Sequence, residues 1–324
     1  MKQESIFDKL LPANEKQIFA MQDWYVWGAS VCRQENEYFM FASAWKKEFG
    51  FFGWITHSTI VMGKADKPEG PFRYVREMEE LKQQSWSREV LHNPTVKKIG
   101  DTYYLYYAGT NGDSSVWNQN QIKQEEIYRY NQKIGVAYTK NLHEPFCPSA
   151  NNPILEPSLE SWDDTYVTNP SVEEYGGEVL LVYKTLIKKE LPEIVMKLGA
   201  AQSSSPEGPF TKITDHPIID ENIEDPFLWK ENGRFYLLVK DMTGKLAGKA
   251  DEAVLYESEN GVEWNASSQY AYGKEIAWTT GTVCYTNVER TQIFIEDEKK
   301  VCMYNAVGEL PENSFNVARR FQIE

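Results

Sequence analysis

The chain has 324 residues, of which 41% are hydrophobic, 14% aromatic and 25% charged, which suits a large globular core and excludes a disordered or fibrous protein. Its formal charge of −14 argues against nucleic acid or an anionic membrane surface as partner and favours a neutral one. Cys32, Cys147, Cys284 and Cys302 show neither metal-ligand spacing nor a disulfide framework, and read as free thiols. No apolar run reaches the roughly 20 residues that a membrane-spanning helix needs, and "MKQESIFDKLLPANEKQ" lacks the apolar centre of a secretion signal. The expected location is the cytoplasm, or the periplasm or exterior for a chain whose leader has been removed.

Residues 1–22 precede any repeat. "DKLLPANEKQIFAMQ" is amphipathic and predicts a short N-terminal helical segment. Its Leu10, Leu11, Ile18 and Phe19 need cover, which a capping role on the rest of the chain or a homodimer would supply.

From Trp27 the chain repeats itself. "WGASVCRQENEYFMFAS" (Trp27), "HNPTVKKIGDTYYLYYAG" (His92), "TNPSVEEYGGEVLLVYK" (Thr168) and "EDPFLWKENGRFYLLVK" (Glu224) share one register, and "ERTQIFIEDEKKVCMYNA" (Glu289) follows it with one extra residue. The second residue of each falls at 28, 93, 169, 225 and 290, so the steps are 65, 76, 56 and 65 residues. Within a step the pattern is strand, tight turn at Gly or Asn, strand, then a third strand such as "HSTIVMGKAD", "QKIGVAYTK", "KLGAAQSSS" or "EAVLYESEN". The turn "PEGPF" closes both the first and the third step. Helical periodicity is scarce beyond the first 20 residues and "NQIKQEEIYRYNQ" at Asn120. The prediction is all-β: a single-domain five-bladed β-propeller over residues 1–324, with about four antiparallel strands per blade.

The first strand of each blade lines a propeller's central channel, so the residues that open it cluster at one mouth. Proline after the opening pair suits a strand start and extends the residue before it. His92, Asn93, Thr168, Asn169, Glu224, Asp225, Glu289 and Arg290 should therefore converge there with Trp27. Adjacent carboxylates are costly to bury unless paired, and sites that bear the cost are often functional. Lys184, Lys240 and Arg290 could balance them. Tryptophans including Trp27 and Trp54 offer flat faces for sugar rings.

The openings "HNPTV", "TNPSV" and "EDPFLW", with "GWITHS", the "PEGPF" turns and "VERTQI", resemble the five-bladed propeller glycoside hydrolases that include families 43, 32, 68 and 117, over nearly the whole chain. The resemblance implies carboxylate acid/base cleavage of a glycosidic bond in an oligo- or polysaccharide, with no required cofactor and at most a structural cation such as calcium in the channel. By position, the family 43 general acid falls on Glu224, next to Asp225. The base position is Gly28 and that of the modulator of the acid's pKa is Asn169, so the expected base moves to Asp23 and the modulator to Asp163 or Asp164. These departures bring the chain nearer to family 117, where a histidine takes part; His92 is the first candidate, ahead of His57 and His216. Trp27, Trp54, His57, Asn93, Asn169, Lys184, Asp241, Glu289 and Arg290 are the expected sugar contacts. Inversion follows from the family 43 likeness. A sugar-binding propeller without catalysis and a propeller phosphorylase are the alternatives.

Overall fold

In the computed structural model, residues 5–113, 115, 123–187 and 194–322 are described. Five four-stranded antiparallel sheets follow one another along the chain, each blade built from the inner strand outward. Blade one comprises Trp24–Gln34, Glu37–Lys46, Thr59–Ala65 and Arg73–Glu77, and blade two Val90–Ile99, Thr102–Thr110, Lys133–Thr139 and Cys147–Pro148. Thr168–Tyr175, Glu178–Ile187, Val195–Ser203 and Thr211–Lys212 form blade three. Blade four consists of Ile223–Glu231, Arg234–Asp241, Glu252–Ser258 and Asn265–Tyr272. The inner strands carry β-branched and aromatic residues on both faces because adjoining blades cover both faces. Their hairpins turn at residues that accept a left-handed backbone, such as Asn232–Gly233 (φ 50° and 79°), as a two-residue turn with the sheet's own twist requires.

The fifth blade takes in part of the N-terminal segment. Its strands Asn287–Glu296, Lys299–Glu309 and Asn313–Arg320 are completed by Ile18–Phe19, which pairs Ile18 with Val317 and Phe19 with Asn316. The short helical segment expected here is two 3-10 turns, Ile6–Lys9 and Glu15–Gln17. The beginning and the end of the chain thus share one sheet and close the ring. Phe7 and Phe19 are buried by this closure and Leu10 and Ile18 pack against the same core, while Leu11 stays 43% exposed.

Two short helices rise between the second and third strands of their blades: Trp54–His57 in blade one and Gln124–Tyr130 in blade two. Second strands run back toward the inner strands' starts, so both insertions stand at the same mouth of the channel as the five openings. Residues 120–122 of the segment read as helical lie outside the described residues.

Candidate active site

The five openings share one backbone device. In every inner strand the pairing register breaks just after the first opening residue, and the second takes a left-handed conformation: Gly28 (φ 56°), Asn93 (50°), Asn169 (53°), Asp225 (58°) and Arg290 (51°). Glycine, Asn and Asp tolerate this geometry, whereas an arginine there is strained. The bulge turns the opening residues into the channel.

The second residues are linked from blade to blade. The Ser43 hydroxyl accepts from the Asn93 N–H at 2.8 Å, Asn93 Nδ2 donates to Asn169 Oδ1, and Asn169 Nδ2 donates to Asp225 Oδ1 at 2.7 Å. Asp225 Oδ2 accepts from the Arg290 backbone N–H at 3.3 Å. Arg290 then leans over Gly28, where an added Cβ would stand 3.3 Å from the arginine's Cβ and Nε. The opening of blade one therefore carries Gly28 in place of a carboxylate, because the side chain of the neighbouring blade crowds the space.

The first residues, Trp27, His92, Thr168, Glu224 and Glu289, line a cavity of about 210 Å³ with Asn93, Asn169, Lys184, Asp225 and Arg290. Blade one adds Trp45, Phe51 and Trp54, and Arg129, Gln132 and Tyr166 close the rim. His92 is 7% exposed, stacks on Trp54 at 5.2 Å and bonds Ser58 Oγ through Nδ1 at 2.7 Å. Burial, with the charges of Arg290 and Lys184, depresses its pKa to about 3, so the ring is neutral.

Two lysines organise the acids. Lys184 pairs in register with Thr168 and Lys240 with Glu224, each sixteen residues on, so both project from second strands toward the mouth. Lys184 Nζ lies 2.8 Å from Glu224 Oε2, and Lys240 Nζ lies 3.2 Å from Glu224 Oε1 and 2.6 Å from Glu289 Oε1. The two glutamate side chains are 12% and 11% exposed. Burial pushes Glu224 up, but the two lysines outweigh it and hold its carboxyl at about 2. Glu289 goes the other way: burial raises it, and the charges of Asp225 and Glu224 add to that against Lys240. The two ammonium groups, and not the neighbouring Asp225 carboxylate, thus set the direction of the Glu224 shift. Oxygens of Glu224, Asp225 and Glu289 approach within 4.8 Å of one another, a spacing that a cation could bridge. Lys240 already stands between Glu224 and Glu289, so these residues do not fit the calcium considered from the sequence.

Several expected residues lie elsewhere. Asp23 is an exposed turn residue whose carbonyl accepts from the Lys47 N–H, and it does not line the cavity. Asp163 is fully buried between the Tyr183 hydroxyl at 2.7 Å and Lys212 Nζ at 2.5 Å, while Asp164 is exposed beside Thr165. Neither reaches the cavity, so neither modulates an acid there. Asp241 binds the turn that follows it, accepting backbone N–H groups from Thr243, Gly244, Leu246 and Ala247. His57 is exposed and stacked on Phe49 at 3.7 Å, away from the lining. Sequence reasoning missed Trp45, Phe51, Arg129, Gln132 and Tyr166. Lys240, which the sequence suggests only as charge balance, shares with Lys184 a sixteen-residue offset from its opening residue, and that offset is a usable signal.

No protein-family pattern and no curated protein matches the sequence. Solved structures share the fold. A family 117 glycoside hydrolase of the marine bacterium Zobellia galactanivorans superposes with a TM-score of 0.68 at 13% identity, covering 96% of this chain and 88% of its own. A family 43 β-xylosidase/α-arabinofuranosidase from a compost microbial metagenome gives 0.60 at 14% identity, with 97% and 96% covered. The α-L-arabinofuranosidase PaAbf62A of Podospora anserina gives 0.63 at 11% identity, with 98% and 99% covered. The chain therefore has the five-bladed propeller fold of these glycoside hydrolases.

Proposed function

We propose that the chain hydrolyses a glycosidic bond of an oligo- or polysaccharide, with Glu289 as the proton donor and Glu224 as the ionised carboxylate. The observation that carries this reading is the pair itself: two nearly buried carboxyls share Lys240, yet their surroundings move their protonation in opposite directions. Such divergence is what a two-carboxyl glycosidase requires. Glu289 protonates the leaving oxygen as the bond to the anomeric carbon breaks, and a Glu224 oxygen forms a bond to that carbon. Water, losing its proton to Glu289, then displaces Glu224 and restores both groups.

Oxygens of the two carboxyls lie within 4.8 Å, nearer to the roughly 5–5.5 Å of retaining enzymes than to the roughly 6.5–9.5 Å that leaves room for an attacking water. This favours retention over the inversion expected from family 43. Trp27, Trp54 and Tyr166 offer apolar surface for the sugar ring, and Asn93 and Asn169 hydrogen-bonding groups. The fold neighbours, whose names include xylosidase and arabinofuranosidase activities, support the substrate class.

The test is turnover of an aryl-glycoside panel. Glu224→Gln should lower kcat/KM by about 10³-fold or more for every substrate cleaved, and Glu289→Gln by about 10²–10⁴-fold for poor leaving groups but far less for dinitrophenyl ones. Sugar binding without turnover would favour a non-catalytic propeller, the reading that Gly28 supports by leaving the opening of blade one without a carboxylate.

A further inference from the structure

Arg290 is the group in the cavity that the proposed hydrolysis leaves unexplained. It is 2% exposed, it lines the cavity, and Nε, Nη1 and Nη2 all lack a hydrogen-bond acceptor. Its nearest carboxylate oxygen, Asp225 Oδ1, stands 3.6 Å from Nη1, beyond hydrogen-bonding range. The two Asp225 oxygens are already engaged by Asn169 Nδ2 and by the Arg290 backbone N–H. A buried guanidinium with unmet donors is costly, and here its backbone is also left-handed. Gly28 gives up its side chain to make the seat.

The other cations near the acids are committed or wet. Lys184 is held by Glu224, and Lys240 by Glu224, Glu289 and Asp251. Arg129 is half-buried over the Trp54 ring at 5.6 Å. Of Lys184, Lys240 and Arg290, only Arg290 has no carboxylate oxygen within hydrogen-bonding range of its side chain, so its positive charge is the one left without a close partner. Sugar hydroxyls would fill the donors of Arg290 but leave that charge unbalanced. A planar monoanion satisfies both, because the guanidinium fork matches a carboxylate with two parallel hydrogen bonds.

We infer that the sugar unit seated in this cavity carries a carboxylate, as a uronic acid does, and that Arg290 is the residue that binds it. The inference rests on the carbohydrate reading of the site but not on its catalysis, so binding tests it separately. Calorimetry on the wild-type protein would compare glucuronate with glucose and galacturonate with galactose, at low and high salt. At least one uronate should bind about tenfold or more tighter than its neutral counterpart, a preference that salt weakens. Arg290→Gln, verified as folded by circular dichroism, should abolish the preference while changing neutral-sugar affinity less. Aryl uronides and matched neutral glycosides would then be assayed together. Uronate preference in binding without turnover would sink the hydrolase reading and leave this one standing. Equal binding of each pair, or faster cleavage of neutral glycosides with no uronate affinity, would overturn it. So would phosphate-dependent turnover that releases a glycosyl phosphate, since the anion would then be a co-substrate.

Discussion

The cavity has two unlike walls. Blades one and two present Trp27, Trp45, Phe51, Trp54 and a neutral His92; blades three to five present Lys184, Glu224, Asp225, Glu289 and Arg290. Both walls are built on the same bulged, left-handed strand opening, so the backbone repeats while the side chains divide the work. Repetition aims five residues at one space, and the choice among them separates an aromatic face from a cluster of charged groups.

The largest way to break this contrast is at the centre of the charged wall. Lys240→Met leaves Glu224 and Glu289 facing each other with only Lys184 to offset them, and should cost about 3–5 kcal/mol in urea unfolding, with activity lost. Asp163→Asn should also destabilise, by about 1–3 kcal/mol, because it weakens the buried contacts with Tyr183 and Lys212; kcat/KM should stay within about twofold. That pair of results would distinguish a carboxylate that holds the fold from those that serve the site.

On the aromatic wall, Trp54→Ala should raise KM about tenfold with kcat little changed, as steady-state kinetics would show. His92 gives a pH effect. Its folded pKa, about 3, is below the ordinary 6.5, so the stability contributed by the neutral ring is complete above pH 6.5 and is lost as pH falls toward 3. Thermal unfolding of His92→Gln should therefore decline less steeply than wild type across that window. The smallest effect is expected at Asp23→Asn, which should leave both turnover and Tm unchanged, since Asp23 is exposed and outside the lining.

The repeat was legible because a left-handed bulge restricts residue choice: Gly28, Asn93, Asn169 and Asp225 are the types that accept it, and their spacing marked the blades before any strand was seen. Arg290 fitted the register despite its type, and its strain became visible only in three dimensions. Asp23, Asp163 and Asp164 were misjudged because nearness in sequence was read as nearness in space. Five residues of extended chain span about 17 Å, so a carboxylate that near in sequence can still lie far from the opening. Protonation was equally hidden, since Lys184 and Lys240 reach the acids from second strands, across a blade boundary for Lys184–Glu224 and Lys240–Glu289. Tyr166 comes from a connection, where no periodicity points, and Arg129 from the short helix Gln124–Tyr130, whose periodicity says nothing of its place at the cavity.

Azide rescue reads at once whether Glu224 is the ionised carboxylate at the anomeric carbon and Glu289 the proton donor. With an activated aryl glycoside, Glu224→Gly plus azide should yield a glycosyl azide of opposite anomeric configuration to the substrate, because azide takes the carboxylate's place. Glu289→Ala plus azide should yield the same configuration as the substrate, because azide takes the place of the second-step water. The reverse assignment of anomers, or active wild type with no azide product from either variant, would contradict these roles.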